Sequence, residues 1–311
     1  MKIRVGFGLS AIATAGWDSQ RFFEVVDACE RLRWDSIWFS ERAASDAPDP
    51  LVAMAAVAGR TSRLKFGPSV MVAPGRNPFL LAKQLATLDV LSAGRFVAAF
   101  GLGVDARSET QVFGTDRAEA AARTEEAVRL IKLLWTQERV TFDGRFFQAK
   151  ELTIGPKPVQ RPHPDVWFGG VSKPALRRVA TIGEGWLPSF VTVAEFAEKA
   201  ETIRKLAMEA GRDIDEEHFG ALIPYLPEGA GNEEQVLAFI AARRPGVEPR
   251  EMAVFGGRDD LRARLESFVA QGASKFVLTP MLPPGDWEAE LASLRAVVAA
   301  PLEREKGHSG P

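Results

Sequence analysis

The sequence predicts an α/β protein built as a single closed (β/α)8 barrel with a β-hairpin insertion. Three observations carry that expectation. Eight short apolar runs recur along the chain, and each is followed by a segment with helical spacing of its apolar residues. The connections are short, which implies parallel strands joined by right-handed crossovers. No stretch of shifted composition divides the chain, so its 311 residues read as one unit although about 150 per domain would give two. A doubly wound sheet would also alternate, but eight units in about 280 residues fit a closed barrel better.

The elements follow in order. Ile3 to Leu9 is a buried strand, and Asp18 caps a helix carrying Phe22, Phe23, Val25, Val26, Cys29 and Leu32. Ser36 to Phe39 is the second strand, and Asp49-Pro50 opens the next helix with proline in its first turn. Leu64 to Val72 is the third strand, Asn77-Pro78 begins a helix to about Leu91, and Arg95 to Phe100 is the fourth strand. A long helix from Arg117 to Trp135 precedes Val140 to Ile154, where Asp143-Gly144 between strand-like flanks signals a hairpin. Strands at Asp165 to Phe168, Gly185 to Leu187, Phe219 to Tyr225 and Lys275 to Thr279 complete the eight. Helices are expected at Pro174 to Ile182, Val193 to Ala210, Glu233 to Arg244, Leu261 to Gln271 and Trp287 to Ala300. The expected layout is a TIM barrel over residues 1–300 and a polar tail over 301–311.

Composition narrows the function. A net charge of −2 gives no basic surplus for nucleic acid or anionic membrane. Cys29 is alone, and His163, His218 and His308 are scattered, so neither disulfides nor a His- or Cys-based metal site is expected. Met1 to Ser10 reads as a strand rather than a signal peptide, and no run of about eighteen apolar residues crosses a membrane. A soluble cytoplasmic protein is the expectation.

In such a barrel the chemistry belongs on the loops after the strands. Gly169-Gly170-Val171-Ser172 leads from a strand into a helix and suits a phosphate cradle; a plain β–α turn capped by Ser172 is the alternative. Gly101-Leu102-Gly103 offers backbone against which a flat ring could lie, or it simply ends a strand; it lacks the rest of a dinucleotide fingerprint. Glu41 and Arg42 follow the second strand as candidate ligand-facing groups or as a rim ion pair. With so few histidines, acid–base work falls to Asp, Glu, Arg, Tyr225 or the substrate, which points to a bound cofactor as the reactive group. Trp38 and Trp186 are candidates for a pocket wall. The segments Val104 to Gly114, the hairpin and the stretch after Tyr225 are expected to shape the pocket.

A string of motifs then carries a family likeness. Asp49-Pro50-Leu51, Thr61 to Gly67 and Arg76 to Arg95 stand at the spacing of luciferase-like monooxygenases. Leu134-Trp135, Phe142 to Phe147, Gly155 to Pro158, Pro162 to Pro164, Val166 to Gly170, Ala175 to Ala180 and Gly183 to Pro188 continue it. The chain most resembles the branch that uses the deazaflavin coenzyme F420, with the flavin mononucleotide (FMN) branch next. The resemblance implies hydride transfer between the cofactor ring in the barrel mouth and a small organic substrate. It implies a non-prolyl cis peptide behind the ring at Ser69-Val70, Gly101 to Val104 beside the ring, and Gly169 to Ser172 on the phosphate.

One departure bears on substrate. The family's acidic residue followed by His is Glu41-Arg42 here, and a guanidinium does not serve as an acid. Arg42 is instead expected to bind an anionic substrate or the ring carbonyls of the cofactor. The alternatives are a two-component FMN-dependent monooxygenase with a separate reductase as partner, and a barrel that binds flavin without turnover. Such barrels commonly form homodimers, and the helix Leu51 to Ala58 beside Leu80 to Leu91 is the expected interface.

Overall fold

The structure, a computed structural model, describes residues 1–305. Its elements in chain order are β1 (Arg4–Gly8), α1 (Ser19–Arg31), β2 (Ser36–Phe39), α2 (Pro50–Arg60), β3 (Lys65–Pro68), β4 (Met71–Val72), α3 (Pro78–Leu91) and β5 (Ala98–Gly101). There follow α4 (Arg107–Phe113), α5 (Arg117–Thr136), the hairpin β6 (Val140–Asp143) and β7 (Gln148–Leu152), β8 (Val166–Phe168), α6 (Lys173–Ile182) and β9 (Gly185–Trp186). The remainder is α7 (Val193–Glu209), β10 (Gly220–Tyr225), α8 (Glu233–Arg243), α9 (Pro249–Met252), α10 (Arg258–Ala270), β11 (Lys275–Pro280), α11 (Trp287–Leu294) and α12 (Ala300–Glu305).

Local chemistry starts these helices where the sequence indicates. Asp18 accepts from the Arg21 N–H, Asp49 from the Val52 N–H, and Asn77 from the Phe79 and Leu80 N–H groups, each cap contributing about 1 kcal/mol. Thr192 and Glu195 form a reciprocal capping box at α7.

Two parallel sheets form the wall, in the orders β10-β11-β1-β2-β3 and β4-β5-β8-β9. Isolated parallel bridges join them: Phe66 to Phe96 on one seam, Trp186 to Phe219 and Ser189 to Leu222 on the other. The eight staves therefore run β1, β2, β3/β4, β5, β8, β9, β10, β11 and back to β1. Trp38, Ala99, Trp167, Leu187, Leu222 and Val277 plug the interior, with Val70 and Val97 packed against them. The outer face of the staves and the inner faces of the helices make the larger core.

The third stave departs from expectation. It is not one strand from Leu64 to Val72 but two, β3 and β4, with the bulged Ser69-Val70 between them. The final helix also differs. A π-turn at Arg295–Ala299 leads into α12, so helix continues past Pro301, where a tail was expected. Leu302 is buried there, and Glu303 accepts from the Val5 N–H and pairs with Arg295. His308 lies outside the described residues.

The hairpin is an insertion between α5 and β8. Glu126 of α5 accepts from the N–H groups of Arg145, Phe146 and Phe147, and Arg123 lies over both phenyl rings. Its return path is anchored by Lys157, which donates to the Leu134 and Gln137 carbonyls, and by buried Asp89, which accepts from the Val159 and Gln160 N–H groups. No described helix is long and apolar enough to cross a membrane. No cluster of three or more His, Cys, Asp or Glu able to hold a metal occurs among the described residues.

Candidate active site at the barrel mouth

The site is built from the bulged third stave outward. The Ser69-Val70 peptide is cis. The Ser69 N–H donates to the Phe39 carbonyl at 2.7 Å, and past the bulge the Ala73 N–H donates to the Gly101 carbonyl at 3.2 Å. Between these anchors the Val70 side chain spreads over the ends of β5 and β8. A Cβ on Gly101 would lie 2.3 Å from Val70 Cγ2, and one on Gly169 would lie 3.7 Å from Val70 Cγ1. Valine and two glycines thus make a low apolar platform in the mouth. Gly103, at φ +74°, continues the strip, and Arg117 of α5 donates to the Leu102 and Gly103 carbonyls.

Beside the platform lies the turn into α6. Gly170 has φ +91°, a conformation that favours glycine. Its carbonyl accepts from Trp186 Nε1 at 2.9 Å, which turns it away from the mouth. Trp186 is itself buried and stacked on Phe196, so it is a fixed support rather than a pocket wall. Ser172 Oγ caps α6 by accepting from the Ala175 N–H at 3.4 Å. The N–H groups of Gly170, Val171 and Ser172 take no acceptor among the described residues and lie at the positive end of the helix dipole. The Ser172 hydroxyl thus caps the helix, as the plain β–α turn expects, while the backbone N–H groups around it stay open.

Glu41 and Arg42 separate completely. The Glu41 carboxylate is only 4% exposed, accepts from the Val72 N–H and pairs with Arg76, not with Arg42. Burial pushes its pKa up, against the opposing pull of the Arg76 charge. It clamps β4 just after the bulge, which makes it a support of the platform. Arg42 remains exposed. Arg243 at the end of α8 lies over the Phe190 ring at 5.1 Å. Burial, and then the charge of Arg42, lower the Arg243 pKa, so the two guanidinium groups share one field. Arg42 follows the second stave and Phe190 the sixth, on opposite sides of the ring. Neither arginine has a carboxylate partner among the described residues.

Tyr225 is removed from the candidate acids. It is 2% exposed, and its hydroxyl donates to Glu290, which Arg258 also holds. Burial raises its pKa well above the usual phenol range. Trp38 is buried in the plug, with its Nε1 donating to Ser36 Oγ. His163 faces the Pro164 carbonyl, and His218 lies at the opposite end of the barrel, beside Asp165.

Some residues that hold the mouth together had no readable signal. Glu109 of α4 is buried and accepts from the Ala43 and Ala44 N–H groups, tying α4 to the Arg42 loop. Arg76 lies 35 residues from its partner Glu41. The stretch after Tyr225 adds a small apolar roof in which Val236, Ile240 and Met252 pack with Phe190, Leu226 and Met281. The hairpin instead lies along α5.

The family model described as "luciferase-like monooxygenase" matches residues 6–238. The chain belongs to this family. Among its luciferase-like relatives, the F420-dependent glucose-6-phosphate dehydrogenase of Kineococcus radiotolerans is 40% identical over 135 residues, covering 40% of each chain. The FMNH2-dependent dimethylsulfone monooxygenase of Pseudomonas putida is 30% identical over 162 residues, covering 51% of this chain and 44% of the relative. The matches thus span less than half of these curated relatives' length. An F420-dependent secondary alcohol dehydrogenase, solved with an F420-acetone adduct, superposes with TM-score 0.80 over 98% of this chain and 100% of its own, at 19% identity. That last likeness supports the luciferase-like barrel fold.

Proposed function

We propose that the chain is an oxidoreductase that binds coenzyme F420 in the barrel mouth and exchanges hydride with a small organic substrate. The observation that carries this is the pairing of a flat apolar platform with an open N–H cradle. Val70, with Ser69 behind it and Gly101, Leu102 and Gly103 along one edge, backs a planar ring. Gly169, Gly170, Val171 and Ser172 take its phosphate. Such a fit suits a ring-and-phosphate cofactor, which when bound supplies the hydride chemistry. Glu41 keeps the platform in place through Val72 and Arg76 and is a positioning residue. Arg42 offers a guanidinium, which serves to neutralise charge rather than to donate a proton. With Arg243 it favours a substrate that carries an anionic group. Arg42→Gln should lower kcat/KM for an anionic substrate about tenfold to a hundredfold relative to its neutral analogue.

The decisive experiment is a parallel titration of the apoprotein with F420 and with FMN, followed by ring and tryptophan fluorescence. Tight binding of F420 alone is expected. Preference for FMN moves the chain to oxygen chemistry with a separate reductase, the reading that the FMNH2-dependent relative supports. Binding of neither overturns the cofactor assignment. The same reading extends to a homodimer through α2 and α3, where Val52, Leu80 and Leu91 are 70%, 60% and 73% exposed. Sedimentation of Leu80→Asp against the parent checks it, with a shift to monomer expected.

A further inference from the structure

The end of the barrel opposite the mouth holds a polar cavity of about 190 Å³. Its walls follow from strand alternation. Val277 and Trp167 point into the plug, and Gly6 and Gly67 face Trp38 across it. Residues two positions earlier on each stave point the same way, one layer lower. Those residues are Lys275, Asp165, Arg4 and Lys65, and all four line the cavity. Arg4 and Lys275 are also register partners across β1 and β11.

The cationic members of this layer are short of acceptors. Arg4 and Lys65 share one carboxylate, Asp35, at 3.6 and 3.8 Å, both beyond hydrogen-bond length. The Lys275 ammonium lies 4.6 Å from the centre of the Trp167 ring and has no hydrogen-bond acceptor among the described residues. Of the carboxylates on the wall, Asp165 lies 3.5 Å from His218 Nε2, Asp215 accepts from the Glu217 N–H, and Glu217 accepts from the Lys2 N–H. Arg95, also on the wall, spends its guanidinium on three carbonyls and Thr61. Arg4, Lys65 and Lys275, from three staves, thus converge on a cavity whose wall also carries Lys2, Arg95 and the carboxylates of Asp165, Asp215 and Glu217, so its lining holds more cations than anions. The half-buried Lys275 ammonium lines the cavity without an acceptor of its own, and a multi-oxygen anion there would supply one.

We propose that the barrel base is a binding site for a small tetrahedral oxyanion, phosphate or sulfate, held by Lys275, Arg4 and Lys65. The site is independent of the mouth and of the cofactor assigned there. Its occupant bridges three staves that close the ring, so it acts as a non-substrate stabilising ligand.

The test reads Lys275 directly. The full-length protein is treated with acetic anhydride in chloride buffer, and in phosphate or sulfate buffer of equal ionic strength, with peptide masses giving the rate at each lysine. Phosphate should slow acetylation of Lys275 by at least about fivefold and leave exposed Lys205 unchanged. Lys65→Gln should weaken that protection. Calorimetry gives the second measurement: Lys275→Met should lose one phosphate-binding event that the parent shows, and Lys275→Arg should retain it. Equal labelling of Lys275 in all three buffers, or identical isotherms for parent and Lys275→Met, overturns the proposal.

Discussion

The Val70 side chain occupies the volume that a side chain on Gly101 would need: a Cβ there would lie 2.3 Å from Val70 Cγ2. The two residues sit on neighbouring staves, and their small–large pairing sets the height of the platform in the mouth. Glu41 holds the same stave from behind through the Val72 N–H and Arg76. Platform, clamp and cradle therefore form one connected unit.

Gly101→Ala should force Val70 off the platform, cost about 1–3 kcal/mol of stability and weaken cofactor binding by about tenfold or more. Adding Val70→Ala should recover most of the loss, because the two side chains compete for one volume. Melting and fluorescence titration of both single variants and the double variant check this; additive losses would mean that the residues are not coupled.

Trp186→Phe keeps the stack on Phe196 and removes the hydrogen bond to the Gly170 carbonyl. The expected cost is about 1 kcal/mol, a roughly fivefold weaker affinity for the phosphate-bearing cofactor. Its dephosphorylated analogue should bind parent and variant alike, and comparing the two ligands isolates the role of the turn.

Tyr225→Phe leaves Glu290 paired with Arg258 and deletes one buried hydrogen bond. A loss of about 1–2 kcal/mol in urea unfolding is expected, with the pH profile of kcat/KM unchanged. A displaced profile would return the phenol to the reacting groups.

Lys275 gives a signed pH dependence. Burial first of all holds its amine down to about 8, against an ordinary value of 10.5. Between those values the unfolded chain binds the extra proton, so this group's contribution to stability rises with pH from about 8 to about 10.5 and is lost as pH falls through 8. In buffer free of phosphate and sulfate, Lys275→Met should remove that rise and be more stable than the parent at pH 7, by about 1–3 kcal/mol. Melting curves of both proteins across pH 7–11 measure it.

What the sequence made legible was local. Asp18, Asp49-Pro50 and Asn77-Pro78 announce helix starts because each cap is closed within three residues, and Asp143-Gly144 marks its turn for the same reason. The glycines of the mouth were visible because backbone shape needs them. Ser69-Val70 came from family likeness, since nothing in either side chain signals the bulge. The Glu41–Arg76 clamp and the Glu109 tie were hidden, because their partners are 35 and about 65 residues distant. Arg4, Lys65 and Lys275 look like ordinary strand-end charges until ring closure brings them together. Short α4 was missed because its residues lack an apolar period.

The anchoring of the hairpin has a consequence for how this chain can vary. Asp89 and Lys157 fasten the stem where it rejoins the barrel, and Glu126 holds the tip on α5. These anchors end on two helices, α3 through Asp89 and α5 through Glu126 and the Leu134 and Gln137 carbonyls. Val140 belongs to the main core and Phe142, Phe147 and Leu152 pack on it, so variation in length or sequence that spares the mouth is expected at the strand faces turned to solvent rather than in the hairpin as a whole.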